Sequence, residues 1–303
     1  MTHFDLVKAA PVVAPGLSPA PADLKVGGTT ACRQEDRARK REARMPTSQQ
    51  RWMSNLVIVR HGESQRNVRR AEAQREGSLE YHGDVRDMDV PLTPRGLRQA
   101  LETGKYLGRE FHFDRVFVSP YERTHQTATT MLKQFPYKVD LSLEERIREK
   151  EFGILDGLTG EGIRSKYPDE ARRREREGKY YYRPPGGESY PDVALRVHSF
   201  LGTMARDCRQ QSVLVVCHSV VVLTFRRLLE RLTEKTLLEI DRDPGHDVCN
   251  CSVTWYAYDS RAGRRGRLVL REFNGVHYPA RDASTEECRK KAPVGKEGRR
   301  ARD

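Results

Sequence analysis

Two apolar patterns alternate along the middle of this chain. Short β-branched runs read as buried strands: Asn55-Leu56-Val57-Ile58-Val59-Arg60, Arg115-Val116-Phe117-Val118 and Ser212 to Cys217. Between them lie stretches with helical spacing. Pro94 to Glu110 follows Thr93 as N-cap and places Leu97, Ala100, Leu101, Tyr106 and Leu107 near one face. Glu122 to Gln134, Tyr190 to Cys208 and Val220 to Leu232 are read as further helices, the last directly after the third strand. Val253 to Tyr258 and Arg267 to Phe273 form an expected antiparallel pair around Ala262-Gly263-Arg264-Arg265-Gly266. Strands alternating with helices predict an α/β fold, a three-layer α/β/α sandwich on a mostly parallel sheet.

The ends of the chain break this pattern. Residues 1–52 are rich in Pro, Ala, Gly and charge and carry no sustained apolar period, so a disordered N-terminal extension is expected there. Residues 280–303 are charged and unpatterned and are expected to be a disordered basic tail, which leaves one α/β domain over 53–279. Composition agrees, with 32% charged against 37% hydrophobic residues, as polar ends diluting a normal core would give. The net charge of +12 is spread over both ends and a mildly basic middle, which suits an anionic substrate. The basic ends lack the interleaved aromatics of a single-strand binder, which argues against a nucleic-acid partner. The six cysteines form no C-x-x-C pair and no zinc-ligand spacing, so reduced thiols, a cytoplasmic location and no metal are expected. No apolar h-region and no spanning run is present, so neither a secretory signal nor a membrane partner is expected, and self-association stays open.

His61 and His218 each stand immediately after a predicted strand. Ligands of open α/β sheets bind at the carboxyl ends of strands, so two distant imidazoles can meet there. Arg60 beside the first and Arg123 after the second strand offer forks matched to phosphate oxygens. Gly62 lets backbone approach a ligand, and Ser64 and Asn67 add neutral donors.

The Arg60-His61-Gly62-Glu63-Ser64 motif, the Ser119-Pro120-x-x-Arg123-x-x-Gln126-Thr127-Ala128 motif and the Val216-Cys217-His218 strand end occur in that order. In this the chain resembles the histidine phosphatase superfamily, which includes the cofactor-dependent phosphoglycerate mutases. The likeness covers about residues 53–278. It implies a phosphoglycerate mutase-like fold and a phosphomonoesterase without a cofactor, acting on a phosphorylated small molecule through a phosphohistidine on His61. Arg60, Arg123 and His218 would hold the phosphoryl oxygens. Glu149 falls on the family's acidic position and would be the general acid, with Glu151 and Asp156 as neighbouring competitors.

Three alternatives stand beside that reading. A cofactor-dependent phosphoglycerate mutase would carry a Phe-Thr-Gly-Trp type segment, which residues 70–90 lack. Residues 156–192 resemble the bisphosphatase half of the fructose-2,6-bisphosphate enzymes, which implies a sugar-phosphate contact for Lys179; Arg183 suits an anionic ligand by its charge, and Ser219, next to His218, is read as a further substrate-binding residue. That family's Gln after the second histidine is Ser219 here, its nearby Arg is Leu223, and its Arg before the lysine is Glu175. A non-catalytic binding protein using its basic ends is the third, and the presence of all five catalytic residues argues against it.

Overall fold

The computed structural model describes residues 50–242 and 247–293. Six strands form one sheet in the order β3-β2-β4-β1-β5-β6. These are β1 (Asn55–Arg60), β2 (Arg115–Val118), β3 (Leu141–Leu143), β4 (Ser212–Cys217), β5 (Val253–Asp259) and β6 (Arg267–Gly275). The first four are mutually parallel, and β5 and β6 close one edge antiparallel. Nine helices are numbered here as α1 (Gln65–Glu76), α2 (Pro94–Glu110), α3 (Glu122–Leu132), α4 (Gly160–Lys166), α5 (Pro168–Tyr181), α6 (Tyr190–Asp207), α7 (Ser219–Glu230), α8 (Glu234–Arg242) and α9 (Glu286–Lys291) among the described residues.

Alternation along the central strands builds the three layers. Leu56 and Ile58 of β1, with Val213, Val215 and Cys217 of β4, face α6 and α7 through Val197, Phe200, Val222 and Phe225. Val57 and Val59, with Leu214 and Val216, face the opposite side, against Ala100 and Leu107 of α2 and Ala128 and Met131 of α3. Both faces of these strands are buried, which is why they read as continuous apolar runs. Thr93 caps α2 as expected, its hydroxyl accepting from the Gly96 amide. The buried stripe of α2 differs from the expected one. Ala100 and Leu107 are buried as expected, but Leu97 is 42% exposed, and Gly96, Gln99, Thr103 and Gly104 complete the buried stripe.

The expected boundaries need two corrections. Trp52 packs against the core and its carbonyl accepts from the Gln210 amide, so the fold includes residues before 53. The rest of the expected N-terminal extension, residues 1–49, lies outside the described residues. At the other end, the segment read as a tail is structured to residue 293, with a 3-10 turn Ala280–Asp282 and α9. Residues 294–303 lie outside the described residues. The physical reason is a cross-link. Cys249 and Cys288 form a disulfide, and Cys288, Ala283 and Ala292 bury their side chains in the α2/α3 side of the core. The expectation of reduced thiols therefore fails for this pair, while Cys208, Cys217 and Cys251 are free and buried. Among the described residues no helix is long and apolar enough to cross a membrane.

Candidate active site

The register of the sheet decides the site. In the β1/β4 ladder Arg60 pairs with Cys217, so the next residues, His61 and His218, emerge side by side at the carboxyl edge. Their rings lie 5.2 Å apart, centroid to centroid, at 63°. The β2/β4 ladder places Ser119 beside them, and the Ser119 hydroxyl meets His218 Nε2 at 2.8 Å. The Tyr121 ring lies 5.0 Å from that of His218 and 4.7 Å from the Arg123 guanidinium.

His61 is buried, and its Nδ1 lies 2.7 Å from the Gly62 carbonyl oxygen. A carbonyl only accepts, so Nδ1 carries the proton and Nε2 keeps its lone pair in the neutral ring. Burial first, then the charges of Arg123 and Arg60, hold this imidazole well below its ordinary 6.5. Burial, Arg123 and His61 lower His218 in the same sense. Two buried polar atoms here lack a hydrogen-bond partner within the described residues, Arg60 Nε and His218 Nδ1.

The other expected residues divide. Arg60 donates to the Val248 carbonyl. Arg123, at the start of α3, turns both terminal nitrogens to Asp87, at 3.2 and 3.1 Å. Asp87 also pairs with Arg66 at 3.1 Å, so a carboxylate bridges two arginines within electrostatic range of Glu149. Glu149 is half-buried, and its Oε1 accepts from the Lys150 amide at 2.9 Å. Desolvation is the largest influence on its carboxyl, and the net effect, with Arg123 and Arg60 opposing, raises it above the ordinary 4.5.

Ser64 is the N-cap of α1, in a reciprocal box with Asn67. Asn67 Oδ1 accepts from the Ser64 amide, and Asn250 Nδ2 approaches it at 3.3 Å. Gly62 also has a packing reason. A Cβ there would stand 2.6 Å from the Gly96 carbonyl oxygen, so its bareness lets the strand end close on α2. Gly62→Ala is therefore expected to cost about 1–3 kcal/mol of stability, read as a lowered midpoint in urea unfolding with an unchanged slope.

Ser219 opens α7 immediately after His218, at the helix end that favours anions. Lys179 follows Gly178, whose φ of +79° breaks α5, and it pairs with Asp241, which also accepts from the Tyr190 hydroxyl at 2.9 Å. Arg183 is not brought to this group. It is 60% exposed and paired with Asp192 at the start of α6.

Sequence reasoning missed three residues. Asp87 lies 36 positions before the arginine it holds, in a stretch with no distinguishing period. Arg196 of α6 donates to the carbonyls of Arg146, Arg148 and Glu149 and to the Glu188 carboxylate, which staples the loop carrying Glu149. Lys150, beside Glu149, is buried with its ammonium 4.6 Å from the Phe152 ring centroid. Burial, with Arg174 and Lys179 nearby and Glu149 and Glu188 opposing, draws it down to about 8. No group of three His, Cys, Asp or Glu that could hold a metal ion occurs among the described residues.

A family model described as the histidine phosphatase superfamily (branch 1) matches residues 56–269. The chain is 32% identical over 204 residues to rat 6-phosphofructo-2-kinase/fructose-2,6-bisphosphatase 3, a match that covers 66% of this chain and 32% of the relative. The chain thus spans about a third of that bifunctional relative. It is 33% identical over 183 residues to a 2,3-bisphosphoglycerate-dependent phosphoglycerate mutase of Methylobacterium radiotolerans, covering 59% of this chain and 80% of the relative. Among solved structures, a mycobacterial glucosyl-3-phosphoglycerate phosphatase in complex with VO3 superposes with a TM-score of 0.55 at 22% identity, over 73% of this chain and 99% of that one, a likeness of fold.

Proposed function

The chain belongs to the histidine phosphatase superfamily, and on that premise we propose that it is a phosphomonoesterase working through a phosphohistidine on His61. The observation that carries the proposal is the Gly62 carbonyl at His61 Nδ1, which leaves Nε2 as an unprotonated nucleophile beside His218. In the first step Nε2 bonds to phosphorus as the ester P–O bond breaks, and Glu149 gives its proton to the leaving oxygen. In the second, the Glu149 carboxylate takes a proton from water, whose oxygen attacks phosphorus and releases inorganic phosphate from the imidazole. With the Ser119 hydroxyl as donor to His218 Nε2, the ring proton stands on Nδ1, where a phosphoryl oxygen can accept it. Arg60 Nε is the second unsatisfied donor suited to such an oxygen. At the Arg123 fork a phosphoryl oxygen displaces a contact to Asp87. The test is hydrolysis of an aryl phosphate by wild type and His61→Ala with EDTA present throughout. Hydrolysis that survives EDTA and is lost in the variant supports the reading, and a fully active variant ends it.

The substrate is proposed to carry a second anionic group, as in the bisphosphatase alternative. Lys179 supports this, exchanging its Asp241 partner for the substrate anion, as do Lys150 and Arg174, which lie within electrostatic range of each other and make no ion pair among the described residues. Arg183, held at Asp192, is left out of this group. Lys179→Ala is expected to raise the KM of a sugar bisphosphate about tenfold, the equivalent of one charged contact of roughly 1.4 kcal/mol, and to leave an aryl monophosphate unaffected. An unchanged KM across a panel of sugar and glycerate phosphates would remove the second-anion idea.

A further inference from the structure

We propose that the Cys249–Cys288 disulfide is a thiol–disulfide modification site whose state sets how firmly the Arg60-His61 strand end grips a phosphoryl group, an inference that rests on the reading of His61 as nucleophile.

Cys249 sits between two residues that hold the site. Before it, the Val248 carbonyl accepts from the Arg60 guanidinium. After it, Asn250 Nδ2 donates to the His61 carbonyl at 3.1 Å and reaches Asn67 Oδ1, and the Cys251 amide donates to the Arg60 carbonyl at 3.0 Å. The turn that carries Cys249 thus supports Arg60, His61 and Asn67 together.

Cys288 sits on α9, in a segment with a second line to the same place. Gln99 Nε2 donates to the Asp282 carbonyl at 2.7 Å and to the Ser284 hydroxyl at 3.0 Å. The other end of that amide, Gln99 Oε1, accepts from the Glu63 backbone at 2.9 Å. The C-terminal segment therefore meets the loop after His61 through Gln99, and the turn behind His61 through the disulfide.

The disulfide is the strongest part of that hold. A six-residue helix is marginal alone. Among the contacts that also retain its segment are the Gln99 bonds, the Arg98–Asp282 pair and the buried Ala283 and Ala292 side chains. Opening of such a segment is local and of low cost once the cross-link is gone. Both sulfurs are buried, so a dithiol reductant reaches them in the transient local openings that the cross-linked segment undergoes, and the low-cost opening follows once the bond is cut. A reductant thiolate attacks one sulfur and forms a mixed disulfide, and its second thiolate closes on the first. The protein S–S bond breaks, Cys249 and Cys288 gain two electrons and two protons as thiols, and the dithiol leaves as a cyclic disulfide. Burial pushes the Cys217 and Cys251 thiols well above their ordinary 9.0, so neither is a ready thiolate for exchange.

The experiment follows aryl phosphate turnover and orthovanadate binding by the full chain, before and after dithiothreitol treatment and desalting to remove the reductant ahead of vanadate addition, with peptide mapping of an alkylated aliquot to report cleavage at Cys288. Cleavage is expected to weaken vanadate binding and lower kcat/KM roughly tenfold, short of the roughly 10²-fold loss of a full 1 Å misplacement. Oxidised glutathione should restore both, and Cys288→Ser should match the reduced enzyme and ignore dithiothreitol. Unchanged vanadate affinity with the disulfide shown to be cleaved overturns the proposal, as does a Cys288→Ser enzyme that equals oxidised wild type. If Cys288→Ser does not fold, the wild-type reduction arm decides alone. An oxidised enzyme that binds vanadate but hydrolyses no phosphate ester counts against the phosphatase reading, and its vanadate affinity still judges the disulfide.

Discussion

His61→Ala is expected to lower kcat for aryl phosphate hydrolysis by roughly 10⁴–10⁶-fold, the scale seen when a covalent nucleophile is removed. The remaining groups cannot replace it. His218 Nε2 is taken by Ser119, and Glu149 is placed to move protons. The fold should survive, because β1 is held by β4 and β5 along its length through backbone bonds. Wild type quenched during turnover of a ³²P-labelled substrate should carry acid-labile, base-stable label on the peptide containing His61, and the variant should carry none. Label that persists in His61→Ala would move the nucleophile elsewhere.

Replacing Glu149 by glutamine should separate substrates by their leaving groups. An alkyl phosphate expels a strongly basic alkoxide and needs the proton, so its turnover is expected to fall about 10²–10⁴-fold. A nitrophenyl phosphate needs no proton in the first step, so phosphohistidine should form quickly and then accumulate, visible as a burst. The pH dependence carries the same signature. His61 is held well below 6.5, so the nucleophile stays unprotonated through mildly acidic pH. Glu149 is raised above 4.5, so the acid form persists to higher pH than in a free carboxyl. Wild-type kcat/KM on alkyl phosphates should therefore hold at acidic pH and decline as pH rises through the folded Glu149 value. That decline should be absent in Glu149→Gln. A variant that slows both substrates equally, or keeps the alkaline decline, would exclude Glu149 as the proton donor.

Much of the architecture was legible because it is local. β-branched runs bounded by turn residues place β1, β2 and β4 within a residue of where they lie, and Thr93 with Pro94 marks the start of α2. The helices missed, such as α1 and α5, are charged along most of their length and bury one residue each, so they leave no apolar period to read. The last described segment was missed for a related reason. Ala283, Cys288 and Ala292 are too small and too few to mark a buried face, and what holds them is a cross-link 39 residues away.

The sequence by itself determined the chemistry that is available. Its motifs set a histidine after each of two buried strands, arginines beside them and a glutamate at the acidic position. The tertiary structure alone decided how those groups are deployed. The Arg60/Cys217 register puts the two rings 5.2 Å apart. Folding also brings Asp87 to Arg123, Arg196 to the Glu149 loop, Gly62 against Gly96 and Cys249 to Cys288. The physical reason is one of range. Periodicity and capping act over a few residues, whereas each of these contacts joins residues more than 30 positions apart. Their pairing depends on how helices and loops settle around the sheet, and no local pattern encodes that.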